Sequence, residues 1–458
     1  MTAIAPPPTL ADTLRSRRER LAQLIHFPAV LWSGQSSPRN FPANVYPFRT
    51  SSHFLYFAGL PLMNAAIRLD GTRLTLFMDE STPAAALWHG PTPTRADIAT
   101  KIGADAAYPL SELNEYLTGV ATVAVQDSTT AAAQLTGRGV VNPAQDRALA
   151  EAIVQLRLTH DGAAIAEMRR AAQVSVQAHR AGMAATQAGN SEATVRAAME
   201  AVIMAQGMTT AYNSIVTVHG EVLHNEHYHH ALQPGDLLLA DVGAEAATGW
   251  ASDITRTWPV TGTFSPTQRD VYDLVLAAHD ACIDAAKPGV EYRDLHLLAS
   301  RVLAAGLVDL GILRGDPDSL VEQDAHALFF PHGIGHLLGL DVHDMEDLGD
   351  LAGYAPGRTR SDRFGLAFLR LDRPLQAGMV VTIEPGLYQV PGILQDPQTR
   401  DRFAAVVNWE RLTEFRDVRG IRIEDDVLIT PTGSDVLTAA LPNRAPDIEA
   451  MVTPHLGL

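Results

Sequence analysis

Apolar positions in this chain follow two textures. Over residues 14–26, Leu14, Leu21, Leu24 and Ile25 predict a first helix. Short runs then predict strands at residues 29–32, 54–58, 65–69, 74–78 and 121–125, with Pro and Gly between them. Two aromatic-rich segments, 46–49 and 53–57, read as core rather than binding surface. From Asp161 the texture turns to long, alanine-rich helices. Ile165, Met168, Ala172 and Val176 recur at helical spacing, and Gly189 suits a stop. Ser191 can cap a second helix that should end near Gly207.

After Gly207 strands resume at 213–218, and Gln233-Pro234-Gly235 turns the chain into 236–243. Leu237-Leu238-Leu239-Ala240 is a continuous apolar run, as in a buried strand, and Asp241 ends it. A second strand over 251–260 puts Asp253, Thr255 and Thr257 on one face by the period of two. Paired as a hairpin, the two strands bring Asp241 and Asp253 side by side. Helices are expected again at 267–287 and 291–310. The strand 379–383 leads into Glu384-Pro385-Gly386, where Pro385 stops ladder pairing. Residues 420–430 alternate, with Ile421 and Ile423 on one face and Arg422 and Glu424 on the other. Helix–strand order thus occurs twice after residue 160, which predicts two related halves around one site. The fold class is α/β (α+β), with an accessory domain over 1–155 and a larger domain over 156–458, the boundary falling near 150–160.

With 458 residues and 46% apolar content, the chain can bury a sizeable core. Its net charge of −17 argues against nucleic acid or an anionic membrane as a partner. The single cysteine, Cys282, excludes an intrachain disulfide and fits a reducing compartment. The basic residues Arg15, Arg17, Arg18 and Arg20 are not followed by an apolar h-region, so no signal peptide is expected. No run approaches the roughly 20 apolar residues that span a bilayer. A soluble, cytoplasmic protein is the expectation.

His332, His336 and His343 fall within twelve positions. Pro331, Gly333 and Gly335 argue against a helix there and for an irregular segment in close approach to something else. Asp241, Asp253, His336, Glu384 and Glu424 are the inward candidates. Buried carboxylates gathered together repel unless paired or metal-bound. Four carboxylates and one imidazole suit a pair of divalent ions such as Mn²⁺, Co²⁺ or Zn²⁺. Two metals roughly 3.5–4 Å apart activate water and polarise a carbonyl, which implies hydrolysis.

Five segments carry a family resemblance: Asp241-Val242-Gly243-Ala244-Glu245, Ser252-Asp253-Ile254-Thr255-Arg256, residues 332–344, Ile383-Glu384-Pro385-Gly386-Leu387-Tyr388 and Gly420-Ile421-Arg422-Ile423-Glu424-Asp425. In this order they resemble the signatures of the pita-bread metallopeptidases, in particular the aminopeptidase P and prolidase branch. Residues 29–88 are similar to that branch's accessory domain. The eleven residues between Asp241 and Asp253 are one more than the resemblance leads one to expect, which implies a bulge in their hairpin. The resemblance implies a pita-bread catalytic domain of two pseudo-symmetric halves behind a smaller α/β domain. It implies Asp241, Asp253, His336, Glu384 and Glu424 as ligands of two metal ions, with Asp253 and Glu384 or Glu424 among the bridging carboxylates. Glu384 would transfer the proton of the water. His224 would contact the substrate carbonyl region, and His343 would stabilise the tetrahedral intermediate or relay a proton. His332 would support the site from behind, and Arg422 with Tyr388 would orient Asp241. Tyr388 would also border the substrate, together with His224, His343 and Arg370. His227, His229 and His230 have no counterpart in the resemblance and read as a solvated loop.

What remains is a contest between an Xaa-Pro aminopeptidase and an Xaa-Pro dipeptidase. A metal-free creatine hydrolase or a peptide- or histone-binding module would lose ligand positions that this chain keeps. A methionine aminopeptidase would lack the accessory domain. Arg370 lies fourteen residues before Glu384, a spacing that resembles the prolidases, where an arginine holds the carboxylate of a C-terminal proline. The plain alternative is a surface arginine paired with Asp362 or Asp372. Residues 46–59 look more like aminopeptidase P. Together these imply an Xaa-Pro aminopeptidase acting on short proline-containing peptides. The resemblance also implies a homodimer or larger oligomer, in which Trp88-His89-Gly90 reaches a neighbouring active site.

Overall fold

The computed structural model describes residues 8–139 and 141–452. The chain forms two compact units, one running up to Leu158 and the other from Thr159 onward.

The first unit is built on a four-stranded sheet in the order Ala29–Trp32, Ala65–Asp70, Arg73–Met78 and Ala106–Tyr108. The first three strands are antiparallel and the last is parallel. Two strand expectations fail here. Residues 54–58 belong to the helix Ser52–Ala58, buried along its whole length and ended by Gly59 in the left-handed conformation at φ 66°. A short, continuously apolar run cannot be told from a buried helix by periodicity. Of residues 121–125, only Ala121 pairs, as a single parallel bridge to Ala29. Side chains satisfy its neighbours instead. Thr122 N–H donates to Asp146 Oδ1, Val125 N–H donates to Gln134 Oε1, and Gln134 Nε2 donates to the Val123 carbonyl. The helix Pro83–His89 has no buried residue, and Trp88 is 81% exposed rather than an internal anchor.

The second unit repeats one theme. The helices Gly162–Ala185 and Glu192–Ala205 precede a three-stranded sheet of Thr255–Pro259, Leu237–Asp241 and Ile215–Thr217. The helices Pro266–Ala285 and Tyr292–Asp309 then precede a sheet of Val380–Ile383, Asp425–Ile429 and Ser434–Val436. Side-chain caps start both leading helices, from Asp161 to Ala164 N and from Ser265 to Gln268 N. The alternating run at 420–430 is two strands, Gly420–Arg422 and Asp425–Ile429, split at Ile423 and Glu424.

Register then fixes the positions that matter. Asp241 pairs with Ile215 on one side and Thr255 on the other, and Thr255 forms a bridge to Glu424. That row joins the two sheets. The hairpin keeps one register past its ladder: Val242 N–H donates to Ile254 O, Ser252 N–H to Ala244 O, and Glu245 bridges Ala251. The bulge allowed by the loop length is absent. Asp253 therefore lies opposite Gly243 and diagonal to Asp241, on one face of the hairpin. The histidine segment is irregular, as expected, yet it runs antiparallel to Val380–Ile383. Thr382 N–H donates to His336 O, Glu384 N–H to Ile334 O, and Leu337 bridges Val381. This register puts His336 diagonal to Glu384. A side chain at Gly335 would strike the Thr382 carbonyl and the Tyr292 hydroxyl, which explains the glycine.

Behind the row sits a fully buried guanidinium. Arg256 Nη2 donates to Asp425 Oδ1 at 2.8 Å and Oδ2 at 3.1 Å, and Nη1 donates to the carbonyls of Thr255 and Glu424. His279 Nε2 lies 3.1 Å from the same carboxylate. Such a pair adds little net stability, but removing one partner strands the other.

A Cβ at Gly243 would collide with the Ser252 carbonyl oxygen and lie 2.9 Å from the ring of Tyr212. Gly243→Ala is therefore expected to pry the hairpin open, costing about 1–3 kcal/mol and loosening the aspartate pair. Denaturant unfolding measures the first effect and cation affinity the second; wild-type values for both would contradict the register.

Candidate metal centre

Asp241, Asp253, His336, Glu384 and Glu424 line one cavity of 380 Å³, which they share with His224, His332, His343, Arg370 and Arg422. Tyr388 is not in the lining. Among the described residues, Asp253, His336 and Glu424 offer ligand atoms that all lie within 4.8 Å of one another. His336 Nε2 lies 3.4 Å from Asp253 Oδ2 and 3.7 Å from Glu384 Oε1. Its Nδ1 is 3.0 Å from the Leu337 carbonyl. Nδ1–H donates there, which leaves the Nε2 lone pair facing the carboxylates, the tautomer a metal ligand needs.

The carboxylates are paid for in protons when no cation is present. Burial, with Asp241 beside it, pushes Asp253 up to about 8. Burial also pushes Glu384 up to about 7 and Glu424 well above the carboxylate range, where Asp253 and Glu384 add repulsion. Tyr212 OH lies 2.5 Å from both Asp241 Oδ1 and Asp253 Oδ1. A phenol has one proton, so both contacts are hydrogen bonds only when a carboxyl carries a proton too. This donor set, four carboxylates and one imidazole nitrogen free to coordinate, fits divalent cations.

A chain of hydrogen bonds aims the ligands. Arg422 Nη2 donates to Asp241 Oδ2 at 2.5 Å, and its Nε donates to Thr255 Oγ1 at 3.0 Å. Thr255 Oγ1 donates onward to Glu424 Oε2 at 2.6 Å. Arg422 Nη1 donates to Tyr388 OH, which lies 2.8 Å from His332 Nε2. His332 Nδ1 is 2.7 Å from the Gly333 carbonyl. Burial and the nearby Arg422 hold His332 down to about 3, so this imidazole is neutral and accepts from the phenol. Tyr388 thus reaches Asp241 only through Arg422.

The remaining expected residues fall as follows. His224 and His343 both face the cavity, each held below the ordinary histidine range, chiefly by burial. The His343 ring centroid is 4.2 Å from that of His336. Arg370 pairs with neither Asp362 nor Asp372. Its Nη1 donates to both oxygens of Glu346 at 2.8 Å, and Asp372 instead holds Arg293 and Arg358. His227 and His229 are exposed, whereas His230 Nδ1 lies 3.0 Å from the buried Glu192, so the three do not form one solvated set. Tyr212 and Glu346 are the residues that sequence reasoning missed. No motif marks either, and each reaches the site through chain reversals that periodicity does not report.

Residues 166–431 match the model of metallopeptidase family M24, and residues 14–127 match that of the aminopeptidase P N-terminal domain. The chain is 32% identical to the Probable Xaa-Pro aminopeptidase of Emericella nidulans, over 88% of each chain. It is equally 32% identical to the human Xaa-Pro dipeptidase, over 92% of this chain and 87% of that one. Its structure is similar to Escherichia coli aminopeptidase P solved with the inhibitor Pro-Leu: TM-score 0.79, 30% identity, 96% of this chain and 97% of the other.

Protons held by Asp253, Glu384 and Glu424 lower the stability of the metal-free chain as pH rises, whereas His179, His296, His326 and His332, held neutral by burial, act in the opposite sense below their unfolded value of about 6.5. Above that value the carboxyl protons decide, and stability should fall as pH rises from about 6.5 to about 8. Added divalent cation should release protons and flatten that slope. Thermal unfolding in chelator and in excess cation across this window checks it; a chelated protein with a level or rising profile would contradict the assignment.

Proposed function

We propose, on the premise that this chain belongs to metallopeptidase family M24, that it is an Xaa-Pro aminopeptidase acting on short peptides through two divalent ions. As a member of the aminopeptidase P and prolidase branch, with its pita-bread domain of two pseudo-symmetric halves, it is a metal-dependent Xaa-Pro peptidase and a metallo-exopeptidase. The restriction to short peptides rests on one observation: Arg370 lines the same cavity as the five candidate ligands.

Asp241, Asp253, His336, Glu384 and Glu424 would hold the ions, with Mn²⁺ preferred and Co²⁺ or Zn²⁺ as alternatives. Bound there, the metals would supply an activated water and a polarised carbonyl. Glu384 would take a proton from the attacking water. His343 would move a proton at the cleaved nitrogen, or steady the charge that forms beside it. His224 would face the carbonyl region of the peptide. Arg422, Tyr388 and the neutral His332 would keep Asp241 and Glu424 aimed. Arg370 would grip the peptide's C-terminal carboxylate, since its planar donors match two oxygens. The Pro-Leu inhibitor of the related aminopeptidase P supports proline-containing peptides as substrates here too.

A dipeptidase remains the second reading, favoured by that same arginine. Ala-Pro-Ala should be hydrolysed faster than Ala-Pro in the presence of Mn²⁺, and the reverse order would make the chain a dipeptidase. Arg370→Ala should cost about ten- to a hundredfold in kcat/KM on free-acid di- and tripeptides and spare C-terminally amidated ones. Equal losses on both would remove Arg370 from carboxylate recognition.

With a net charge of −17 disfavouring nucleic acid and anionic membranes as partners, the assembly would be a homodimer or larger symmetric oligomer. Leu87 at 80% and Trp88 at 81% exposure support this, because large apolar side chains left in water mark a surface to be covered. Trp88, His89 and Gly90 would reach a neighbouring subunit's site. Among the described residues no helix is long and apolar enough to cross a membrane. The cytoplasm is the proposed location, supported by Cys282, a buried free thiol. Light scattering should give at least twice the chain's 49.3 kDa; a stable monomer would end the assembly proposal.

A further inference from the structure

We propose that Glu346 is a positioning residue that holds the His343 imidazole and the Arg370 guanidinium together from behind the substrate cavity. The inference rests on the roles proposed above for those two side chains.

Glu346 opens the short 3-10 turn Glu346–Leu348, entered through Met345 at φ 62°. Met345 is fully buried, so the backbone that presents Glu346 is anchored despite its left-handed conformation. Glu346 Oε2 lies 3.2 Å from His343 Nδ1, and both its oxygens accept from Arg370 Nη1 at 2.8 Å. Among the described residues it is the only carboxylate paired with either. A second cavity of 120 Å³ adjoins the first. His343 and Arg370 line both cavities, as do His336 and Arg360, whereas Glu346 lines only the smaller one. The carboxylate therefore grips both side chains from the smaller cavity, which His336 alone of the five candidate ligands borders.

That placement has two chemical effects. An imidazole whose Nδ1–H is held by a carboxylate keeps one tautomer and presents Nε2, the nitrogen left to exchange a proton. A guanidinium whose Nη1 is held keeps Nε and Nη2 for an incoming carboxylate. Arg370 and Glu346 side chains are 36% and 41% exposed, so their ion pair contributes little to stability. Fold maintenance does not account for the arrangement. One carboxylate instead couples the group that handles the proton to the group that reads the peptide's end.

The test compares one tripeptide as free acid and as amide, with the metal-loaded full chain. Glu346→Ala should lower kcat on the amide by about 10–100-fold, the scale for a residue that orients a functional imidazole. It should also raise KM on the free acid roughly two- to fivefold more than on the amide. In a His343→Ala background it should lower kcat little further, and in an Arg370→Ala background its selective KM effect should vanish. Unchanged kcat on the amide, or losses that multiply in the His343→Ala background, would overturn the inference. If Arg370→Ala proves blind to amidation, the carboxylate reading fails by itself, and the kcat cycle with His343 still decides for or against Glu346. Thermal unfolding separates lost positioning from lost fold; should Glu346→Ala not fold, the isosteric Glu346→Gln carries the same cycle.

Discussion

Like charges set the terms for this protein. Asp241, Asp253, Glu384 and Glu424 crowd one buried pocket, and no arrangement of carboxylates alone is stable there. Each compensating feature answers that constraint. Arg422 gives one guanidinium to Asp241 and, through Thr255, to Glu424. Tyr212 sets a phenol between the two aspartates. His336 turns an unprotonated nitrogen toward the group. What these leave unbalanced is the charge that protons or divalent cations must supply. The site is thus a cation trap because the fold stops short of neutralising it.

The backbone that enforces the crowding is economical. A single row, Ile215, Asp241, Thr255 and Glu424, crosses from one three-stranded sheet to the other. Diagonal neighbours then complete the set, Asp253 beside Asp241 and Glu384 beside His336. Arg256 and Asp425 lock the same junction from behind with a charge pair withdrawn from water. Its desolvation is affordable only because the guanidinium also satisfies four backbone carbonyls, those of Thr255, Glu424, Leu441 and Pro442. Ligand geometry here is a property of strand register more than of side-chain choice.

That distinction explains what could be read from the sequence. Asp241 was legible because an apolar strand ending in a carboxylate is chemically odd, and Glu384 because proline follows it at a strand end. The period of two aligned Asp253 with Thr255, and the glycines around His332 and His336 argued correctly against a helix. The segment 54–58 misled because full burial erases the contrast that periodicity needs. The bulge expected between the aspartates was argued from loop length, which does not report register. Tyr212, 29 positions before Asp241, and Glu346, 24 positions before Arg370, were invisible for a different reason. Each acts through a contact made by tertiary folding, and a tyrosine or glutamate carries no local mark of such a partner.

The row through Thr255 has a further consequence, for synthesis. Arg422 stands 181 positions after Asp241, so the ribosome releases the aspartate hairpin long before its counter-charge. Until the strand Gly420–Arg422 and Glu424 have emerged, the first half of the unit holds two adjacent carboxylates without the guanidinium that aims one or the glutamate that completes the pocket. Assembly of the complete five-residue set is thereby a late event in the life of the nascent chain, after the strand Gly420–Arg422 has been made.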